Sequence, residues 1–304
     1  MREAATFAPC HITGIFQIFD ESADPLQVGS RGAGISLVSG VKTVVRAAEA
    51  SRNSFRISIN NIVSDSAEVS EKVVRASFSL LKKSKFYNLN VEHDVNVPMG
   101  AGLGTSGAAA LSLALALNEV FDLDLSRIEA AQLAHRVEVE CRTGLGTVIA
   151  ETLGGGEIRT KPGAPGIGEI EFIEIPENVN VICLVFGPMS TRRFLTDPEC
   201  RTRINEWGGK LVDELIKTPT ICKFMKLSRQ FAEKVGLITN RVRSILDLTD
   251  KEGLICSMPM FGESVFTVAE PENVNTVLRI FSEGGADGRV ILSEVDRTVA
   301  RLIV

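Results

Sequence analysis

The chain has no excess of basic residues: 33 Lys and Arg stand against 38 Asp and Glu among 304 residues, a net charge of -5. Without an extended Lys/Arg stripe there is no electrostatic footprint for a phosphate backbone, so nucleic acid is not expected as a partner. Long apolar runs are missing too. The longest, residues 108–117, is too short to span a hydrocarbon core and contains Ser112, so no membrane partner is expected. The first residues carry Arg2 and Glu3 and then apolar residues only in short pieces, which make no signal-peptide core. Cysteine occurs at Cys10, Cys141, Cys183, Cys200, Cys222 and Cys256, never at Cys-x-x-Cys or zinc-ligand spacing. These read as reduced, mostly buried thiols of a soluble, cytoplasmic protein. No internal repeat or low-complexity segment is found.

What is present is a chain that can fold. Its 44% hydrophobic residues suffice to offset the entropy of ordering. At roughly 100–200 residues per domain, its length favours two domains. Over residues 89–97 the apolar or ring-bearing Leu89, Val91, His93, Val95 and Val97 alternate with Asn90, Glu92, Asp94 and Asn96. That period of two predicts a half-buried strand, with His93 as a satisfied core histidine. Before it, Val69, Val73, Ala76 and Leu80 recur at helical spacing. After it, Ser126 and Glu129 form a capping box opening a helix that runs to about Arg142. Glycines and prolines cluster over residues 154–168, expected to pack poorly in any regular element, and the domain boundary is placed there. Residues 1–160 form the expected N-terminal domain and residues 170–304 a C-terminal α+β domain, with strands over 179–186, 264–269 and 289–295 and helices between.

The strongest local signal lies between the alternating strand and a helix over residues 108–121: Pro98, Gly100, Ala101, Gly102, Leu103, Gly104, Thr105, Ser106 and Gly107. Glycines let the backbone approach a ligand, and a helix start offers unpaired N–H groups at the positive end of its dipole. The segment is suited to an anion. Gly102, Gly104 and Gly107 also satisfy the loose dinucleotide fingerprint. However, the first strand of such a fold should be continuously apolar, and the acidic residue should end a second strand, whereas Asp122 and Asp124 link two helices. A Walker loop is excluded because no Gly-Lys-Ser/Thr ends the turn. Phosphate charge must then be met by backbone N–H groups, other residues and a metal, for which Ser106 and Glu138 offer oxygen ligands.

This glycine segment resembles the second motif of the GHMP kinases, whose usual form is Pro-x-x-x-Gly-Leu-Gly-Ser-Ser-Ala. Ala8, Pro9, Cys10, His11, Ile12, Thr13 and Gly14 resemble the first motif of that family. Residues 134–138 resemble the helix that carries its metal-binding glutamate, and Ser190, Thr191 and Arg192 resemble a Ser-Thr-Arg stretch of mevalonate kinases. Within the superfamily, residues 11–16, 24–34 and 257–266 are similar to archaeal pantoate kinases; methionines replace the usual glycines of the third motif. The resemblance implies an α+β, two-domain fold, with a ribosomal-protein-S5-domain-2-like N-terminal domain and a ferredoxin-like C-terminal domain. It also implies ATP with Mg²⁺, Ser106 and Glu138 on the metal, and phosphorylation of pantoate to 4-phosphopantoate on the way to coenzyme A. Other small-alcohol kinases of the superfamily, of mevalonate or homoserine type, and a nucleotide-binding paralogue without turnover, remain alternatives, and a homodimer is left open.

One departure is Thr147, which stands in the segment Gly144, Leu145, Gly146, Thr147, Val148 where the related kinases carry a catalytic aspartate. Threonine cannot act as a base at neutral pH without a partner, though phosphoryl transfer asks little of a base. Pantoate's carboxylate calls for a cation, and Arg31, between Gly29 and Gly32, is the first choice. His11 is expected either to hydrogen-bond substrate, alongside Thr13 and Gly14, or to cap a strand end. Thr191 and Arg192 are candidate substrate-binding residues, and Arg192 and Arg193 are candidates to face the transferring phosphate.

Overall fold

The structure, a computed structural model, describes residues 1–81, 85–189 and 197–303. Two long strands, β1 (Arg2–Phe19) and β2 (Gly29–Glu49), pair antiparallel along nearly their whole length. The register shifts between Pro9 and Cys10 and between Thr13 and Ile15, and such irregularities bend a strand and re-aim its side chains. The alternating segment is β5 (Tyr87–Val95), paired with the second half of β2; its odd positions are buried. β3 (Ser54–Ile59) runs parallel to β5, and β4 (Ile62–Val63) pairs with β3.

α1 (Glu68–Leu80) precedes β5, with a correction to the face it buries. Ser70, Val73, Val74 and Ser77 point inward while Leu80 is 51% exposed. The stripe is turned because Ser70 reaches the ring of His93 at 3.0 Å and Ser77 satisfies itself on the Val73 carbonyl. His93 is bonded at its other nitrogen by Thr43, and burial pushes it down to about 4, so it stays neutral in the core. α2 (Thr105–Phe121) is Ala/Leu-rich nearly all round and packs against α1, β1 and β2. A helix apolar on all sides belongs inside. α3 (Arg127–Cys141) begins with the complete Ser126–Glu129 capping box and ends at Arg142 in the left-handed conformation. α4 (Thr147–Leu153) follows at once.

The glycine and proline cluster does enter regular structure. β6 (Gly156–Lys161) pairs antiparallel with β2, setting Gly32 opposite Arg159, and β7 (Glu169–Phe172) pairs with β6. A second sheet follows: β8 (Asn180–Pro188) lies between β9 (Gly262–Ala269) and β10 (Arg289–Glu294), all antiparallel. α5 (Pro198–Ile216), α6 (Ile221–Val235) and α7 (Asn240–Lys251) connect β8 to β9, and α8 (Pro271–Gly284) connects β9 to β10. α5 and α6 reach back onto β1, and β11 (Arg301–Leu302) pairs with β1. The two sheets with their helices form the α+β, two-domain architecture. No helix among the described residues is long and apolar enough to cross a membrane.

Candidate active site

β5 delivers the chain into the glycine turn, where Gly100, Gly102 and Gly104 all adopt positive φ, of 73°, 78° and 67°. Side chains at Gly102 and Gly104 would also collide. A Cβ on Gly102 would lie 2.8 Å from the Met260 carbonyl oxygen, and one on Gly104 2.8 Å from a Glu151 oxygen. Ala101 is buried, and its carbonyl accepts a hydrogen bond from Ser264 at 3.0 Å, which ties the turn to β9. α2 starts at Gly104 with no side-chain cap, so the N–H groups of its first turn are free for a ligand.

The turn floors a cavity of about 440 Å³. Gly100, Gly102, Leu103, Gly104, Thr105 and Ser106 line one side; residues 141–147 line another; His11, Thr13, Phe16, Ser30, Arg159, Met260 and Phe261 complete it. Phe16 and Phe261 meet edge to face, their centroids 6.1 Å apart. Pro98 leads into the turn and Gly107 lies in α2 against Glu151, neither at the wall.

Glu138, on α3, is 1% exposed, and its partners are hydroxyls. It accepts hydrogen bonds from Ser106 at 3.2 Å and from Thr143 at 2.6 Å. Burial pushes it up to about 7, with the two hydroxyls opposing. An oxygen pair of this kind, lacking only positive charge, fits a hard divalent cation. Thr147 opens α4 at the cavity wall, one turn before Glu151. Both Glu151 oxygens are buried without a partner, and burial, then Glu138 and Glu157, push its carboxyl well above the usual range.

On β6, Glu157 and Arg159 are two residues apart and point the same way, both almost fully buried. Arg159 pairs with Glu157 through one arm, while its Nε has no partner. Ser30 Oγ is likewise buried and partnerless. The two atoms are neighbours: a Cβ on Gly146 would sit 2.1 Å from Ser30 Oγ and 2.9 Å from Arg159 Nε. His11 is 1% exposed; its Nε2 lies 3.0 Å from each Glu157 oxygen and its Nδ1 3.2 Å from Thr13 Oγ1.

Arg31 is not brought to this cavity. It is a strand residue, and the pleat that turns Ser30 and Gly32 inward turns Arg31 away. Its guanidinium binds Asp213 at 2.5 Å, the Thr160 carbonyl and Gln17. Its flanking glycines serve packing: a Cβ on Gly29 would strike Gly163, and one on Gly32 the Ile15 carbonyl. Gly14 also stands outside, pressed on Ser228 and Phe224 of α6. Thr191, Arg192 and Arg193 lie outside the described residues. Arg159, Glu157 and Ser30 do not stand out in the sequence. The available signal is the Glu157–Ile158–Arg159 pattern, which sets opposite charges on one face of any strand.

Residues 71–155 match the model of the GHMP kinase N-terminal domain. Together with the fold and the glycine turn this defines a small-molecule kinase of the GHMP class. The pantoate kinase of Methanocaldococcus jannaschii is 36% identical over 90% of this chain and 96% of its own. That of Thermococcus kodakarensis is 34% identical over 91% of both. A solved phosphotransferase related to the CoA biosynthesis pathway superposes with a TM-score of 0.90 at 30% identity, covering 99% of each chain. The chain belongs to the pantoate kinase family.

Proposed function

We propose that this protein transfers the γ-phosphoryl group of ATP to the terminal hydroxyl of pantoate, giving 4-phosphopantoate. The observation that carries the reading is the pair of buried, partnerless polar atoms in the cavity wall, Ser30 Oγ and Arg159 Nε. A buried donor left unmade costs roughly 1–3 kcal/mol, and a carboxylate across the two would satisfy both. Phe16, Met260 and Phe261 supply an apolar wall to the same cavity, suited to the two methyl groups of pantoate.

On this reading the free N–H groups at the start of α2 and the glycine turn receive the phosphates of the nucleotide. Ser106 and Glu138 would hold Mg²⁺, which when bound offsets charge on the phosphates. Seating the substrate carboxylate at Ser30 and Arg159 fixes one end of pantoate and leaves its terminal hydroxyl free to face the turn. Holding two reactants in this way supplies much of a phosphoryl-transfer rate. Thr147 is at most a positioning group. The test is ADP release measured in parallel with pantoate, mevalonate, homoserine and galactose. Pantoate should give the highest kcat/KM; a higher value for any of the others would refute the assignment.

A further inference from the structure

The reaction must dispose of the alcohol proton, and the carboxylates nearest the turn are poorly placed to take it. Position 147 holds threonine, Glu138 is occupied by Ser106 and Thr143, and Glu151 lies behind Gly104 and Gly107 and does not line the cavity. A different group is assembled on β1. Thr13 Oγ1 stands 3.2 Å from His11 Nδ1, and His11 Nε2 stands 3.0 Å from both oxygens of Glu157. The His11 and Glu157 side chains are fully shielded from solvent, whereas Thr13 is half-buried at the cavity wall.

We propose that this hydroxyl–imidazole–carboxylate array is the proton acceptor of the reaction: Thr13 takes the proton of the substrate hydroxyl and His11 takes that of Thr13. The inference rests on the phosphoryl-transfer reading given above. An ionised carboxylate can only accept, so the Nε2 beside Glu157 carries the ring hydrogen and Nδ1 presents its lone pair to Thr13. Thr13 then donates to Nδ1 and keeps its own lone pairs for the substrate. The tautomer is fixed from behind by a group that itself pairs with Arg159. The ring has one seat, because a Cβ on Gly34 would come within 2.3 Å of its Cε1 and Nε2. The charged or titratable groups facing it are Glu157 and Arg159 from β6, and Glu151 of α4, which meets Gly104 beside the His11 carbonyl. β2 sets Gly34 against the ring and Ser36 opposite His11 in register, and the turn presents the Leu103 carbonyl to the His11 N–H at 3.1 Å.

The step balances. The alcohol O–H bond breaks as its proton passes to Thr13 Oγ1, and the Thr13 proton passes to His11 Nδ1, leaving imidazolium beside Glu157. The alcohol oxygen forms the new P–O bond with its own electron pair, and the bond from γ-phosphorus to the bridging oxygen breaks to release ADP. After product leaves, His11 Nδ1 returns its proton to Thr13 Oγ1 as Thr13 gives its own to water in the cavity, which restores the array. Because Arg159 touches both Glu157 and the proposed carboxylate seat, the two ends of the substrate are served by one connected set of side chains.

The test is single-turnover phosphoryl transfer to pantoate, followed over about pH 5–9. Wild type should lose rate toward acid. His11→Gln should lower the rate roughly 10²-fold or more, leave the KM for pantoate within a few-fold, and alter that acid limb. Thr13→Ser should keep most of the rate, and the isosteric Thr13→Val should lose as much as His11→Gln. A wild-type rate or an unchanged acid limb in His11→Gln, or Ser and Val variants alike at position 13, would overturn the relay. If His11→Gln does not fold, the Thr13 pair decides alone. Should wild type prefer another alcohol, the pantoate reading fails while the same variants, run on that alcohol, still judge the relay; no transfer to any alcohol refutes both.

Discussion

Ser30→Ala is the cleanest perturbation of the proposed carboxylate seat. The hydroxyl is 2% exposed at the residue level and has no hydrogen-bond partner, so its removal breaks nothing in the free protein. A buried hydroxyl left unpaired already costs roughly 1–3 kcal/mol, and the variant should therefore be as stable as wild type or more so. Binding should respond in the opposite sense. A hydrogen bond to a charged partner is worth about 1.5–3 kcal/mol, which at 1.4 kcal/mol per tenfold converts to a rise of about 10- to 150-fold in the KM for pantoate. The KM for ATP should stay within about twofold, since nothing places Ser30 against the glycine turn. Thermal unfolding and steady-state kinetics on the same preparation check both halves. An unchanged pantoate KM, or equal effects on both substrates, would refute the seat. Arg159→Ala is less informative, because it would also strand the buried Glu157, a loss of about 3–5 kcal/mol for a broken buried pair.

Arg31→Ala should leave both KM values unchanged and lower stability by no more than about 1 kcal/mol, because its partner Asp213 is solvent-exposed; a large rise in the pantoate KM would return the carboxylate to Arg31. Glu138→Gln should reduce kcat far more than nucleotide affinity, and comparable losses in both would refute its place at the metal. Burial raises Glu138 from 4.5 to about 7, so the folded state holds a proton that the unfolded chain releases. The share of stability that Glu138 supplies to the nucleotide-free protein should then fall as pH rises through that window, by on the order of 3 kcal/mol; because His93 and Glu151 also change their protonation on folding, it is read as the difference between wild type and Glu138→Gln, which should shrink by that amount. Melting temperatures at pH 5 and 8 for the two proteins measure it. Thr147→Ala should retain turnover within a few-fold; an inert wild type with an active Thr147→Asp would show that the missing carboxylate is indispensable.

Features set by neighbours along the chain are legible in the amino-acid sequence. The β5 alternation, the Ser126 capping box and the glycine turn depend on residues within a few positions of each other, and each stands where its pattern places it. Features set by pairing between distant strands are not. Arg31 and Arg159 are both arginines near glycines, and only the β2–β6 register, with Gly32 opposite Arg159, decides which faces the cavity. The pleat then reverses the choice that flanking glycines suggest, because those glycines make room for neighbouring strands. β6 is hidden for a related reason: glycine and proline on either side mask a strand whose buried face carries Glu157 and Arg159, residues that composition alone assigns to the surface. His11 and Thr13 stand out in the sequence, but their link to Glu157 spans 146 positions.

The most direct test of the central claim is the product itself, followed by ³¹P NMR with ATP, Mg²⁺ and pantoate as the acceptor. The account predicts a phosphomonoester signal, coupled to the methylene protons at the terminal carbon of pantoate, that grows in step with ADP. ADP accompanied by inorganic phosphate, or a phosphorylated product only when another alcohol replaces pantoate, would contradict it.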